Sequence, residues 1–451
     1  MRKWFFRKNR ALNPTRTIAL VFLLIILIGT GLLALPFASR SGESCGFLGA
    51  LFTATSSTCV TGLVLYDTWT QWSAFGQTVI LMLIEIGGLG FISVASLVIF
   101  LFRRRVGLKQ RMVMAQAFSV DEIQGVVRLQ KRVLGGSVAI QLIGMVILTL
   151  HFLPTYGIRC ALIWGTFHSI SAFCNAGFDL FGSLAPGSSL ALFQNDPVVC
   201  ITLMCLITLG GLGFFVWEDL ITKRSFRKCS IYTKLVLIVS LVLILGGAGS
   251  ILLLEWNNPE TLGNMPVGTK ILNAFFQSVT LRTAGFASFD QAGLTESGKA
   301  VSVLFMLIGA SSGSTAGGIK TVTVLVLILF LCARLRGRST VTVFGRTIPA
   351  EKVTDAMTIT TLVTLLAIIG AVLLSVSGIG FLDALFETAS ALATVGLTAG
   401  VTPLLGTAAK VMIIVFMYFG RVGLLTLSLG FLMGDKAQER YRYAYTNLLI
   451  G

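Results

Sequence analysis

The sequence predicts an all-α polytopic membrane protein built from four tandem repeats, each with two membrane-spanning helices on either side of a re-entrant loop. First, 55% of the 451 residues are hydrophobic and 12% are charged, against roughly 25% charged in an ordinary soluble domain. Second, several apolar runs can cross a hydrocarbon layer of about 30 Å, for which about 20 residues suffice. Third, one loop pattern recurs between these runs.

Eight apolar runs are candidate spans: residues 17–37, 75–102, 134–153, 198–221, 231–254, 301–332, 358–376 and 408–432. The first could be an uncleaved signal peptide, but the chain stays hydrophobic behind it, so we interpret it as a span. Basic residues concentrate before the first run and after each even-numbered run. This positive-inside pattern predicts a cell membrane protein with both termini in the cytosol. The net charge of +16 therefore reflects topology and does not indicate nucleic-acid binding.

The runs and loops divide the chain into repeats and cytosolic segments. The predicted divisions are a basic cytosolic N-terminus 1–16, repeat one 17–102, a connection 103–133, repeat two 134–221, a connection 222–230, repeat three 231–332 with a broken second helix, a connection 333–357, repeat four 358–432 and a cytosolic tail 433–451.

The loop of each repeat ends in a glycine, with a phenylalanine ten residues earlier. The segments read FTATSSTCVTGL, FHSISAFCNAGF, FFQSVTLRTAGF and FETASALATVGL, and begin at residues 52, 167, 275 and 386. Each predicts a short helix that enters the membrane and then an extended stretch ending at a glycine, which readily adopts positive φ. Irregular backbone is tolerated at membrane depth only where it is buried in protein or lines a water-filled path.

Four such stretches around one pseudo-fourfold axis would form rings of carbonyl oxygens that replace the hydration shell of a cation. Potassium is the ion that neutral rings of this kind suit best. The predicted ion selectivity filter, with potassium at its carbonyls, comprises Val60, Thr61, Gly62, Asn175, Ala176, Gly177, Thr283, Ala284, Gly285, Thr394, Val395 and Gly396.

The even-numbered runs contain glycine motifs, GGLGF at 87–91 and 210–214 and FGRVG at 419–423. Glycines in membrane helices usually allow close helix packing, and this interpretation stays open beside a functional one. The run 301–332 is long and contains GASSGSTAGG, so we expect a loop in its middle. GSTAGGIKT differs from a phosphate-binding loop because Ile319 displaces the lysine and no soluble strand precedes it.

Three ionisable residues, Glu85, Lys320 and Arg421, lie inside runs, where a charge is costly and is a functional hypothesis by default. Two structural interpretations stay open: Arg421 pairs with Glu85, and Lys320 extends its side chain to the cytosolic surface. Acidic residues near the loops either attract cations or are plain solvated charges: Asp67, Asp179, Asp290, Asp383 and Glu387.

The loop endings TAGF and TVGL and the stretch SSGSTAGGIK resemble the Trk/Ktr/HKT superfamily of potassium transporters, with the greatest similarity to the membrane subunits of Ktr uptake systems, over residues 13–451. The resemblance implies four M1–pore helix–M2 units around a pseudo-fourfold pore and a homodimer in membrane lipid. It also implies a separate cytosolic nucleotide-binding regulatory subunit of the RCK type. Potassium would be the substrate, sodium is left open as a coupling ion, and no cofactor is expected on this chain.

The resemblance further implies a gate below the filter, formed by Ser311, Ser312, Gly313, Ser314, Thr315, Ala316, Gly317, Gly318, Lys320 and Arg421. Potassium channel filters contain two glycines, whereas each loop here has one, so we expect weaker discrimination against sodium. No HExxH and no paired intramembrane aspartates indicate an enzyme. The remaining alternative is a secondary transporter of another monovalent cation such as sodium, although four parallel repeats disfavour inverted-repeat architectures.

Overall fold

The computed structural model describes residues 14–90 and 126–423. Five predicted segments lie wholly or partly outside these residues: most of the basic N-terminus, the end of the second run, most of the first cytosolic connection, the end of the last run and the C-terminal tail. The described helices are α1 Pro14–Leu33, α2 Gly46–Cys59, α3 Thr68–Gln71, α4 Ala74–Leu89, α5 Val126–Cys174, α6 Pro197–Leu212, α7 Phe214–Lys223, α8 Ile231–Glu255, α9 Val267–Thr280, α10 Glu296–Leu307, α11 Thr321–Leu335, α12 Ala350–Ser375, α13 Phe381–Ala393 and α14 Thr407–Val422. Between α11 and α12, β1 Thr342–Val343 pairs antiparallel with β2 Arg346–Thr347.

Long apolar helices make the chain a multi-pass membrane protein. Within the described residues, Arg16–Leu33, Gln130–Cys174, α8 and α12 are long and apolar enough to cross a membrane. A fifth span is added if α6 and α7 count as one bent helix, and α4 and α11 are shorter apolar helices. Leu253 of α8 is 85% exposed and Leu241 is 58% exposed. Exposed leucines on so apolar a helix suit a lipid environment.

Helix α5 contains both the first span of repeat two and the short helix of its loop. They are separated at Gly157, whose φ of 74° and ψ of 164° are not helical. The two halves pack against each other, since the Phe152 and Trp164 rings meet edge to face at 5.6 Å. The Thr149 hydroxyl also donates to the carbonyl of Ala161 at 3.3 Å. Gly157 therefore makes the reversal between the predicted span 134–153 and the loop helix of repeat two.

Glycines with positive φ end the second helix of three repeats. Gly90 after α4 has a φ of 81°, Gly213 after α6 has 95° and Gly423 after α14 has 89°. A residue in this region cannot continue a right-handed helix. The predicted run 198–221 is therefore two helices, α6 and α7, bent by 92°. In repeat three, residues 308–320 separate α10 from α11, where the sequence predicts an interruption.

A different glycine of the same motifs serves close packing. At Gly87, Gly210 and Gly420 an added Cβ would collide with a backbone carbonyl oxygen near the end of the loop helix, respectively that of Thr58, Phe173 and Leu392. Each of these carbonyls lies four residues before a filter glycine. The packing interpretation therefore holds for these glycines, while Gly90 and Gly213 end helices. As a result, α4, α6 and α14 each end beside the start of a filter segment.

Candidate functional site

The four predicted filter segments have the same unusual backbone. The residue two positions before each glycine has positive φ, with values of 57° at Val60, 60° at Asn175, 72° at Thr283 and 53° at Thr394. Each filter glycine is positive as well, between 70° and 94°. The left-handed region costs an L-residue about 1–2 kcal/mol, so the surrounding structure must impose it. Strain of this kind concentrates at functional sites.

The four filter glycines approach one another in a closed cycle. A Cβ on Gly62 would lie 2.5 Å from the Ala176 carbonyl oxygen, one on Gly177 2.8 Å from that of Ala284, and one on Gly285 2.6 Å from that of Val395. A Cβ on Gly396 would collide with the Thr61 carbonyl oxygen, which closes the cycle on the first segment. All twelve predicted filter residues are buried. The structure thus brings them together as one ring of backbone.

Hydroxyl groups near the ends of the loop helices hold the filter segments. Ser56 accepts the Gly62 amide at 3.1 Å, and Ser390 accepts the Gly396 amide at 3.0 Å. In the other two repeats the hydroxyl donates instead: Ser171 to the Phe178 carbonyl and Thr280 to that of Phe286, both at 2.7 Å. The small and hydroxyl residues of the loop sequences therefore anchor the backbone of the ring.

The filter turn of repeat three is one residue shorter than the other three. Its Ala284 amide donates to the carbonyl four residues earlier, whereas the equivalent amides of Thr61, Ala176 and Val395 donate to the fifth residue back. Phe276 is fully buried, as are the loop phenylalanines of the other repeats, whereas Phe275 is half-buried. The structural equivalent of the loop phenylalanine is therefore Phe276, nine residues before the glycine.

The segment 308–320 packs on the break between α6 and α7. The amides of Ser311 and Thr315 donate to the carbonyls of Gly211 and Gly210 at 3.1 and 3.2 Å. In return the Phe214 amide donates to the Gly313 carbonyl at 2.8 Å. These bonds connect repeat three to the glycine motif of repeat two.

The same segment reaches the filter. The Thr315 hydroxyl donates to the Phe173 carbonyl at 3.1 Å, at the end of α5. A Cβ on Gly317 would collide with the hydroxyl of Thr394, a filter residue. Residues 311–318 therefore lie directly against the end of the ring at which the loop helices stop.

Arg421 joins this segment to repeat one. Its guanidinium donates to the carbonyl of Thr315 and to those of Gly87 and Gly88, the last at 3.1 Å. Glu85 does not pair with Arg421 in the structure. The Glu85 carboxylate instead accepts a hydrogen bond from Gln141 Nε2 at 3.0 Å. The hydrogen-bond partners of Arg421 that the structure shows are thus neutral carbonyls. They do not neutralise its positive charge, which lies beside the loop.

Lys320 turns back into the loop. Its ammonium donates to the Ala316 carbonyl at 2.8 Å and to that of Gly317 at 3.4 Å. These bonds close the loop on itself, so Lys320 does not extend to the cytosolic surface. All predicted gate residues consequently belong to one connected cluster at the end of the ring where the loop helices stop.

Acidic residues at the other end of the filter differ in their surroundings. Asp67 accepts the Gly187 amide at 3.0 Å and so connects repeats one and two. Burial and the nearby Asp67 charge raise the pKa of Asp179 to about 7, against the opposite effect of the Phe181 amide, which donates to it. Asp290 is exposed. Asp179 therefore changes charge close to neutral pH.

The two acidic residues of α13 are held by the protein. Asp383 pairs with the Lys299 ammonium at 2.8 Å. Glu387 is fully buried and accepts hydrogen bonds from the hydroxyls of Thr398, at 3.1 Å, and Thr402. Neither is a plain solvated charge.

Comparisons with known proteins agree on one family. The model of the TrkH family, described as cation transport protein, matches residues 3–440. The potassium/sodium uptake protein NtpJ of Enterococcus hirae is 39% identical over 99% of both chains. The Ktr system potassium uptake protein B of Bacillus subtilis is 40% identical over 95% of both. The crystal structure of the potassium transporter TrkH from Vibrio parahaemolyticus has a TM-score of 0.74 over 96% of this chain and 87% of its own, at 17% identity, and so shows a shared fold.

Proposed function

The chain belongs to the TrkH family of cation transport proteins, and from this premise we propose that it is the ion-translocating subunit of a Ktr-type potassium uptake system. The observation that carries the proposal is the closed cycle of four filter glycines, each against a carbonyl of the next segment. Rings of backbone carbonyls are the means by which proteins replace the hydration shell of potassium. Full-length relatives named as potassium uptake proteins support the same substrate.

The proposed architecture has four M1–pore helix–M2 repeats and eight spans around a pseudo-fourfold pore. The pore helices are α2, the second half of α5, α9 and α13. The second spans are α4, α6 with α7, α10 with α11, and α14. Potassium passes along the axis where the four segments meet. One glycine per segment gives fewer dehydrated sites than a channel filter with two.

The gate in this proposal is the loop 311–318 together with Lys320 and Arg421. Two features support it: the loop lies against the filter residue Thr394, and Arg421 holds it to α4 through carbonyls. A cation that leaves the filter meets both an obstacle and a fixed positive charge. Transport therefore requires the loop to exchange its hydrogen bonds for an open arrangement.

Potassium uptake by cells that lack their own uptake systems is the direct test. Expression of the chain with a regulatory subunit from a Ktr system should restore growth at low potassium and saturable potassium uptake. Vector alone and the Gly396→Ser variant serve as controls. Absence of uptake, with the protein present in the membrane, would contradict the proposed function.

The second candidate function is secondary transport of sodium. Two observations favour it: the single glycine of each filter segment and the name of the Enterococcus hirae relative. Sodium competition separates the two functions. If potassium is the substrate, a large sodium excess should inhibit potassium uptake only weakly. Sodium uptake that proceeds without potassium, at comparable rate, would favour the second candidate.

We further propose a homodimer regulated by a cytosolic RCK-type nucleotide-binding subunit that docks on the basic connections. The segment 222–230 offers Arg224, Arg227 and Lys228 as exposed basic side chains. Replacing all three with glutamine should weaken co-purification of the regulatory subunit, because charge complementarity is lost. Binding should also become less sensitive to salt.

The matched control is glutamine at Arg336, Arg338 and Arg346, three exposed basic residues of the next cytosolic connection. If docking is confined to 103–132 and 223–234, this control should bind the regulatory subunit as the parent does. Equal loss in both variants would place the interface across the whole basic face, and no loss in either would move it elsewhere.

A further inference from the structure

Each loop helix has a polar residue directly after its buried phenylalanine. With the shorter turn of repeat three taken into account, the four pairs are FT, FH, FQ and FE, and the polar residues are Thr53, His168, Gln277 and Glu387. All four are buried, and the last three are fully so. Buried polar side chains need hydrogen-bond partners, since an unpaired one costs about 1–3 kcal/mol.

In repeat two the partner lies just beyond the filter. His168 Nδ1 is 2.7 Å from the Trp164 carbonyl and so must donate to it. Nε2 is then the acceptor and receives the Leu180 amide at 3.2 Å. The ring also stacks on Phe181, with centroids 4.0 Å apart. A neutral imidazole thus holds the backbone three residues after Gly177.

Repeat three uses an amide pair for the same purpose. Gln277 Nε2 donates to Gln291 Oε1 at 2.6 Å, and Gln291 Nε2 donates back to Gln277 Oε1 at 3.3 Å. Gln291 also donates to the Phe289 carbonyl at 2.9 Å. The residue held lies six positions after Gly285.

Repeat four uses a carboxylate. Glu387 Oε1 accepts from the hydroxyls of Thr398 and Thr402, which lie two and six positions after Gly396. The Thr398 hydroxyl in turn accepts the amides of Gly400 and Thr402 at 3.1 and 3.4 Å. One carboxylate oxygen therefore organises the whole turn that leaves the fourth filter segment.

Repeat one differs. The Thr53 hydroxyl donates to the Gly49 carbonyl of its own helix at 3.1 Å. The structure shows no bond from it to the segment after Gly62. The segment after the filter glycine is consequently held in three repeats, by an imidazole, an amide and a carboxylate.

We propose that Glu387 is a positioning residue of the filter, which fixes the exit of the fourth segment by hydrogen-bond acceptance, with His168 and Gln277 in the same role in repeats two and three. The inference rests on the proposed function. In repeats two, three and four the filter segment is held by a hydroxyl near the end of the loop helix, such as Ser390, and again beyond its glycine by this second residue. The spacing of carbonyls in the ring, and hence the affinity for potassium, then depends on both anchors.

Glu387→Ala and Glu387→Gln test the proposal in the full transport system. Loss of the acceptor should raise the KM for potassium about tenfold. The glutamine variant keeps an acceptor oxygen of the same reach, although a neutral one binds less strongly, so its KM should lie between those of parent and alanine variant. Thr402→Val, which removes a donor and keeps the shape, should also raise the KM. Adding it to Glu387→Ala should change little more, because the two residues share one contact.

The matched control is the same pair of substitutions at Glu296, an exposed residue in the first turn of α10, which should leave the KM unchanged. Equal effects of alanine and glutamine at Glu387 would overturn the proposal, because the charge and not hydrogen-bond acceptance would then set affinity. A lower amount of protein with an unchanged KM would also overturn it. Failure of the parent chain to take up potassium would instead contradict the proposed function.

Discussion

Replacing Gly396 with serine should raise the KM for potassium by about tenfold or more. The φ of 94° at this glycine costs any L-residue about 1–2 kcal/mol, and a factor of ten corresponds to 1.4 kcal/mol. A Cβ would in addition lie 2.9 Å from Gly62 Cα and collide with the Thr61 carbonyl oxygen. Both groups are backbone and cannot rotate away, so the ring itself must distort. Potassium uptake kinetics measure the effect.

Gly378→Ser, after α12, separates crowding in the ring from backbone strain alone. Gly378 has a φ of 86° but is exposed, and an added Cβ would meet no atom within 4 Å. Its KM should therefore stay close to that of the parent. The variants Gly62→Ser, Gly177→Ser and Gly285→Ser should resemble Gly396→Ser, since each glycine closes on the next segment. Unchanged kinetics in all four would show that these segments are not the filter.

Repetition in the sequence predicted the components of the ring, but not their register. Four glycines in one recurring pattern indicate four equivalent backbone segments, and the structure brings those segments together. The one-residue shortening of repeat three escaped detection because FF at 275–276 offers a phenylalanine in either register. Burial decides between them, and burial of one of two adjacent aromatic residues depends on tertiary packing.

The breaks at Gly90, Gly213 and Gly423 were also absent from the predicted runs. Hydropathy reports whether a segment can lie in lipid, and it is indifferent to the sign of φ. The motifs contained both packing and helix-ending glycines, and only the backbone shows which glycine has which role. For the polar pairs FT, FH, FQ and FE a signal was present in the sequence, since each repeat places a polar residue at one position of a buried helix.

The partners of Arg421 illustrate a further limit. A charge inside the membrane predicts a partner, and Glu85 was the acidic candidate in a neighbouring span. The structure instead supplies carbonyls from Thr315, Gly87 and Gly88. Backbone carbonyls become available where a helix is broken or a loop is exposed to the guanidinium, and the sequence does not show which of these carbonyls Arg421 reaches.

Deleting residues 312–317 should increase potassium flux through the purified membrane subunit and make it less dependent on a regulatory partner. The base of the loop is closed independently of these residues. Ile319 donates its amide to the Leu307 carbonyl at 3.3 Å, and Thr321 donates to that of Ala310 at 3.2 Å. The deletion therefore removes the part that lies against Thr394 and keeps α10 and α11 joined. The effect is measured as potassium flux in liposomes that contain the purified membrane subunit, with liposomes that lack it as the control.

Arg421→Ala should shift flux in the same direction, because it removes a fixed positive charge and the bonds that hold Thr315 to α4. Hydrogen bonds to charged groups contribute about 1.5–3 kcal/mol each, so loss of one alone favours the open loop by about tenfold or more. Arg336→Ala, at an exposed cytosolic position, is the control and should leave flux unchanged. Elution at the same volume as the parent on size exclusion would show that the variants assemble normally.

Combining the deletion with Arg421→Ala distinguishes a gate from two independent barriers. If Arg421 acts by holding the loop in the ion path, a chain without the loop has nothing left for it to hold, and the double variant should conduct about as fast as the faster single variant. If the arginine obstructs potassium by its charge alone, the two increases should multiply. A deletion variant that conducts no faster than the parent would show that the loop is not the gate, whatever Arg421→Ala does, because a gate that is absent cannot remain closed.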